Sequence, residues 1–294
     1  MVSRTSERTP SEDKIARILH PPRVHRGRRV VAGVLVLGLL VWILPFVWML
    51  LGSFKTQGEI LRRPPTFWPE QFTGQNYTTW FAELDFSKYF LNSVIVAAIT
   101  VLGNLVFCSM VGYALAKMSF FGKRLLFGLV MLTLMVPGVV TFVPLFVQTA
   151  KLGLLDTYAA LVLPFLTAPV GVFLMRQFIS GIPDELLEAA RIDGANEWTL
   201  FSRVVLPLCG PALATLAILT FLGSWNNFLW PLVVSQSADL YTLPIALSLY
   251  STGQHSTNYG LLLAGSVLVI APILLLFVVL QRWFVQGIAT TGLK

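Results

Sequence analysis

Residues 181–211 read GIPDELLEAARIDGANEWTLFSRVVLPLCGP, a charged island of helix-forming sequence between two long apolar runs. Pro183 suits the first turn of a helix, where its missing N–H leaves no bond unmade. Asp184 and Glu185 follow, setting negative charge against the positive end of the helix dipole. On a helical wheel Leu186, Leu187, Ala190 and Gly194 share one face, and Asp184, Glu188 and Arg191 share the opposite one. Gly194 is the natural stop, because glycine enters the left-handed conformation without steric cost. Asn196 suits the cap of a second helix, with Trp198, Phe201 and Val205 on one side and Leu200 and Val204 on another. Pro207 and Pro211 bound it. Helices this short are marginal in water below about 12–15 residues unless an apolar face is docked. The pair must therefore pack on its own chain or on a partner.

The flanks decide the solvent. The chain has 294 residues, 55% hydrophobic and 12% charged, whereas a soluble globule carries about 25% charged residues. Charge-free runs fall at Val30–Phe54, Tyr89–Ala116, Leu125–Ala150, Thr157–Met175, Val204–Ala238 and Leu240–Gln281. A helix needs about 20 apolar residues to cross the ~30 Å hydrocarbon core. The expected fold class is therefore all-α, a polytopic membrane protein with six transmembrane helices and a cytoplasmic helix pair. The spans are expected at about 30–51, 89–113, 125–147, 157–178, 210–231 and 260–283, within one membrane domain, 30–287. Flanking it are a basic tail, 1–29, and a short tail, 288–294.

Orientation follows from the basic residues. Sixteen Lys and Arg fall in the two tails, the connection between the second and third spans, the island, and the span ends beside them (Arg176 and Arg282); five (Lys55, Arg62, Arg63, Lys88 and Lys151) fall on the other side. The richer side is expected to be cytoplasmic, which puts both termini and the island inside. The net charge of +7 is explained by this topology, and no nucleic-acid partner is expected.

Polar and helix-breaking residues within the spans mark candidate sites. Asn92 and Asn104 lie in the second span, and Trp225, Asn226 and Asn227 close the fifth. Polar side chains in hydrocarbon usually face a bundle interior or a water-filled route, and interhelical hydrogen bonding is the simpler alternative. Pro137, Pro144, Pro164 and Pro169 interrupt the third and fourth spans, either bending them around a pathway or improving their packing. Residues 232–258 read as an external loop with one acid, Asp239, and no Lys or Arg. Cys108 and Cys209 read as buried small residues, with neither disulfide nor metal spacing.

Several chemistries lack their residues. There is no phosphate loop, since Gly122-Lys123 precedes Arg124 and lacks the upstream glycine. His20, His25 and His255 are far apart, and the membrane core holds no Asp or Glu. An intramembrane enzyme would have to use Asp184, Glu185, Glu188 and Asp193, which spread around their helix. A transporter built from this chain must draw its energy from another subunit.

Glu188-Ala189-Ala190, Asp193-Gly194-Ala195 and Leu206-Pro207 together resemble the EAA loop of ABC-importer permeases. From about Val30 to Lys294 the chain is similar to carbohydrate permeases of the maltose G type, of the binding-protein-dependent family. The matching stretches include PPTFWP (64–69), NSVIVA (92–97), GYALAK (112–117), 135–144, 221–231 and 281–287. Val204 stands where that family often has isoleucine, and Asn227 where it commonly has an acid. The resemblance implies an importer of a sugar, a di- or oligosaccharide, with glycerol phosphate as the alternative cargo. It implies a second permease of the F type, two cytosolic ATPases that bind the ATP and Mg, and an external sugar-binding protein; no cofactor is expected on this chain. Glu188, Ala189, Ala190, Asp193, Gly194, Leu206 and Pro207 would meet the ATPase. Ser251, Gln254 and Asn258 would face the binding protein. In the maltose system the defined sugar contacts lie mainly on the other permease.

Overall fold

The computed structural model describes residues 25–251 and 257–291, with side chains over 30–251 and 257–279. Gln254 and the two tail ends lie outside the described residues. By its internal contacts the chain divides into residues 1–49 and 50–294. The first unit contributes most of helix α1, His25–Gly52, whose apolar side chains, Val30 to Trp42 among them, stand uncovered.

The second unit is organised along one helix, α2, Phe86–Lys117, about 48 Å long at 1.5 Å per residue. The chain then forms α3 (Lys123–Met135), α4 (Gly138–Lys151), α5 (Tyr158–Phe165) and α6 (Pro169–Ser180). The island gives α7 (Asp184–Ile192) and α8 (Glu197–Leu208). It is followed by α9 (Gly210–Trp225), α10 (Leu229–Val234), α11 (Leu243–Ser251) and α12 (Tyr259–Thr291). α2 packs against α6 and α9. Small residues allow the approach: a Cβ at Gly112 would stand 2.8 Å from the Met175 Cβ and 3.0 Å from the Arg176 nitrogen. In lipid such close packing replaces the hydrophobic drive that water supplies elsewhere.

Among the described residues three helices (Val30–Gly52, Phe86–Lys117 and Tyr259–Val279) are long and apolar enough to span a bilayer, and counting three bent pairs as spans gives up to six. The stretch expected as one span at 125–147 is two helices, α3 and α4, meeting at 103°. Pro137 supplies the break, because it cannot donate within a helix and forces the preceding residue out of the helical region. α5 and α6 meet at 42°, and α8 and α9 at 80°.

Buried side chains cluster toward both ends of α2, and a third group gathers Val96, Leu161 and Trp230. Cys108, Tyr113, Met175, Ile179, Leu187, Phe201 and Cys209 fill the end near the island. Trp80, Tyr89, Trp225, Leu243, Ala246 and Leu261 fill the other. The Trp80 and Trp225 indoles donate to the Leu261 and Val269 carbonyls at 2.9 and 3.0 Å, which satisfies their polar edges inside an apolar site. Cys108 and Cys209 are free and buried.

Candidate functional site

The island folds as its residues dictate. Pro183 sits just ahead of α7 as its N-cap, one place before the first turn. Gly194 adopts φ +87°. The Ala195 amide reaches the Ala190 carbonyl at 3.0 Å, and the Gly194 amide reaches Arg191 at 3.0 Å, the paired bonds that close a helix through a left-handed residue. Asn196 Oδ1 accepts from the Thr199 amide at 2.8 Å.

Within the hairpin the apolar residues divide unevenly. Leu187, Leu200, Phe201 and Val205 are buried. An ideal wheel puts Leu200 on a different side from Phe201 and Val205. Residues 200–205 are wound as a π-helix, and its i→i+5 bonding brings Leu200 and Val205 one above the other. Leu186, Ile192 and Trp198 remain 48%, 87% and 63% exposed. Around them Glu188, Ala189, Asp193, Gly194 and Pro207 are exposed, while Ala190 and Leu206 are half-buried.

Two polar ties hold the hairpin to the end of α2. Lys117 Nζ donates to the Ile182 carbonyl at 2.5 Å and to Asp184 at 2.6 Å; Lys117 holds the Asp184 carboxyl below its usual range. Tyr113 Oη donates to Glu197 Oε2 at 2.6 Å, and the other oxygen of Glu197 takes Arg191 Nη2 at 3.0 Å. Arg191 thus bonds across the corner to Glu197, not along the helix to Glu188. Tyr113 and Lys117 stand one turn apart, so one face of α2 carries both ties.

The five polar candidates in the spans have separate roles. Asn92 is buried, donates to the Asp239 and Tyr241 carbonyls at 2.8 and 3.0 Å, and accepts from Tyr158 at 2.5 Å. It pins the segment before α11. Trp225 is a core residue, and Asn226 donates back to the Leu222 carbonyl. Asn104 spans the α5–α6 break: its amide donates to Phe165 at 2.6 Å and its oxygen accepts from the Ala168 nitrogen at 3.0 Å.

Asn104 and Asn227 also line a cavity of about 480 Å³ bounded by α2, the α5–α6 break and α9. Thr100, Thr220 and Ser224 line it too. These hydroxyls were not singled out in the sequence, although Thr100 precedes Asn104 by one turn and Thr220, Ser224 and Asn227 follow at i, i+4 and i+7. That spacing was the available signal.

The segment read as an external loop is corrected by the structure. Residues 243–251 form α11, which buries Leu243, Ile245, Ala246 and Ser251. Ser251 is 0% exposed and cannot offer its side chain to an outside protein. Residues 243–251 read LPIALSLYS, with no charged face to mark a helix; α11 is held by tertiary burial instead. Asn258 is exposed and caps the start of α12, accepting from the Leu261 amide at 3.0 Å.

Residues 108–290 match the family described as the binding-protein-dependent transport system inner membrane component. The chain belongs to that family. It is 45% identical over 255 residues, 86% of its length and 91% of the relative's, to an arabinooligosaccharides transport system permease protein of Halalkalibacterium halodurans. It is 36% identical, over 84% of its length and 83% of the relative's, to a diacetylchitobiose uptake system permease protein of Streptomyces coelicolor. Its fold matches a chain of a bacterial ABC transporter involved in import of the acidic polysaccharide alginate, at TM-score 0.79 and 23% identity, over 90% of this chain and 99% of that one. The permease is thus a multi-pass membrane subunit of a transport system and not an enzyme.

Proposed function

We propose that this permease is one of two membrane subunits of an ATP-driven importer that moves a di- or oligosaccharide across the cytoplasmic membrane. A second permease of the F type pairs with it, an external sugar-binding protein delivers the cargo, and two cytosolic ATPases bind ATP and Mg. Both termini and the hairpin lie in the cytoplasm.

The observation that carries this reading is the hairpin's divided surface. α7 and α8 are tied to α2 on one side and leave Leu186, Ile192 and Trp198 uncovered beside Glu188 and Asp193 on the other. An aromatic and two aliphatic anchors with a charged rim suit a protein partner. That partner is the ATPase, and Glu188, Ala189, Ala190, Asp193, Gly194, Leu206 and Pro207 form the contact.

Co-expression with the ATPase, second permease and binding protein, followed by reconstitution in proteoliposomes, tests the reading. Accumulation of a neutral oligosaccharide should need enclosed ATP and loaded binding protein. Accumulation without ATP, or failure of the ATPase to co-purify, would overturn it. Orientation is tested with an impermeant maleimide on intact cells. A cysteine at Asp239, whose side chain is 78% exposed, should label, and one at Asp193 should not; the reverse result overturns the topology.

A further inference from the structure

The cavity beside α2 has the properties of a binding site made by this chain alone. Its volume, about 480 Å³, lies in the range of small-molecule pockets, which are mostly apolar with a few converging polar groups. One wall is Thr100 and Asn104 on α2, another is Thr220 and Ser224 on α9 with Asn227 just past its end, and Phe165 contributes an apolar face at the break between α5 and α6. Asn104 is fully occupied in bracing that break. Thr100 is not occupied: it is 3% exposed and its Oγ1 has no hydrogen-bond partner. A buried hydroxyl left unpaired is disfavoured unless something else satisfies it.

The charge of the lining is as informative as its polarity. Among the described residues no Asp, Glu, Lys, Arg or His lines the cavity. An ionised carboxylate or phosphate placed there would lose its hydration without meeting a counter-charge. Hydroxyl groups, by contrast, can both donate to and accept from Thr, Ser and Asn side chains.

We propose that this cavity is a solute subsite for an uncharged, hydroxyl-rich ligand, a neutral saccharide unit, with Thr100 and Ser224 supplying hydrogen bonds and Phe165 covering an apolar ring face. The inference rests on the sugar-importer reading and adds two things to it. Sugar is held on this permease as well as on its partner, and uronate or phosphate cargo is refused within the membrane subunit, independently of the binding protein.

The test uses the purified whole transporter without its binding protein. Equilibrium dialysis measures retention of tritiated arabinotriose, with unlabelled arabinotriose, diacetylchitobiose and trigalacturonate as competitors. Saturable retention is expected, displaced by a neutral sugar and not by trigalacturonate. Thr100→Val and Ser224→Ala should each weaken it about three- to tenfold, the loss of one hydrogen bond, and lower the sugar carried per ATP. Thr100→Ser, which keeps the hydroxyl, should behave as wild type. Equal losses in Thr100→Ser and Thr100→Val would mark a packing effect and overturn the subsite, as would equal displacement by trigalacturonate. No saturable retention of either neutral probe, in a complex that transports one with its binding protein, overturns the subsite and leaves the importer reading standing. A complex that carries only anionic oligosaccharide with its binding protein overturns the subsite, and one that carries no saccharide overturns both.

Discussion

The hairpin at 181–211 and the segment at 232–258 lie toward opposite ends of the unit built on α2, and they differ in what determines them. In the hairpin each structural decision is made by a residue acting on its neighbours. Gly194 turns the corner, Asn196 starts the second helix, and Pro183 precedes the first. In the segment around α11 the decisions are made at a distance. α11 is held by packing on α2 and α12, and the residues just before it are held by Asn92, which reaches Asp239 from 147 residues away in sequence. A chain can advertise a cap or a glycine corner; it cannot advertise a partner that arrives from another span.

The largest effect is expected where the local code is strictest. Gly194→Val puts a β-branched residue at φ +87°, a conformation that costs about 1–3 kcal/mol for non-glycine residues. No atom lies within 4 Å of the position where its Cβ would stand, so the strain is in the backbone alone. The variant should insert at normal abundance, lose most retained ATPase and reduce uptake by about tenfold or more. Normal uptake with normal ATPase retention would show that the corner is not the coupling element.

A smaller loss is expected from cutting the ties to α2. Tyr113→Phe removes one hydrogen bond to Glu197, and Lys117→Met removes the partner of Asp184. Asp184 is exposed, so its ion pair contributes little to folding. The prediction is therefore a change in coupling: ATP hydrolysis continues while uptake per ATP falls about two- to fivefold. The exchange Lys117→Asp with Asp184→Lys should recover part of it. Full coupling in Tyr113→Phe and Lys117→Met would make the ties mere packing.

These ties also show how far the sequence could be read. The EAA-like spacing, the six apolar runs and the short-range caps were legible because each is written within a few residues. The pairing of Arg191 with Glu197 instead of Glu188 was not, because it depends on the turn at Gly194 closing tightly enough to bring the second helix back. The π-wound stretch at 200–205 was hidden for a related reason, since an ideal wheel assumes one helical pitch throughout. Asn92 and Asn104 were recognised as unusual, but the choice between pathway and brace lay in the carbonyls of Phe165, Asp239 and Tyr241, which only the fold brings near.

Glu188→Ala should have a milder effect than either. Its carboxylate is exposed in this chain, and Arg191 is already bonded to Glu197, so the substitution should leave the subunit's own stability nearly unchanged. If the ATPase covers this face, removing the charge should weaken ATPase retention by about 1–3 kcal/mol, speeding release most at low salt, where the charge is least screened. Retention measured at two salt concentrations separates the outcomes; identical retention by wild type and variant at both would remove Glu188 from the contact.

The smallest effect is expected at Ser251, and it is the sharpest test of the comparison. As part of an open loop reaching toward a binding protein, its hydroxyl would be one of the few polar handles there, and removing it would reduce delivery of the cargo. In the structure Ser251 is 0% exposed and its Oγ has no hydrogen-bond partner. Converting the hydroxymethyl of Ser251 to a methyl deletes a desolvated, unpaired oxygen and leaves almost no cavity, so Ser251→Ala should be neutral or stabilising by up to about 1 kcal/mol. Enlarging the side chain at the same place should instead force α11 away from its neighbours, and Ser251→Leu should destabilise by about 1–3 kcal/mol. Thermal unfolding of the detergent-solubilised complex reads both changes, with uptake at half-saturating binding protein recorded in parallel. A drop in uptake for Ser251→Ala without a change in melting would return this residue to the outer surface and show that 243–251 leaves its packed position when the binding protein docks.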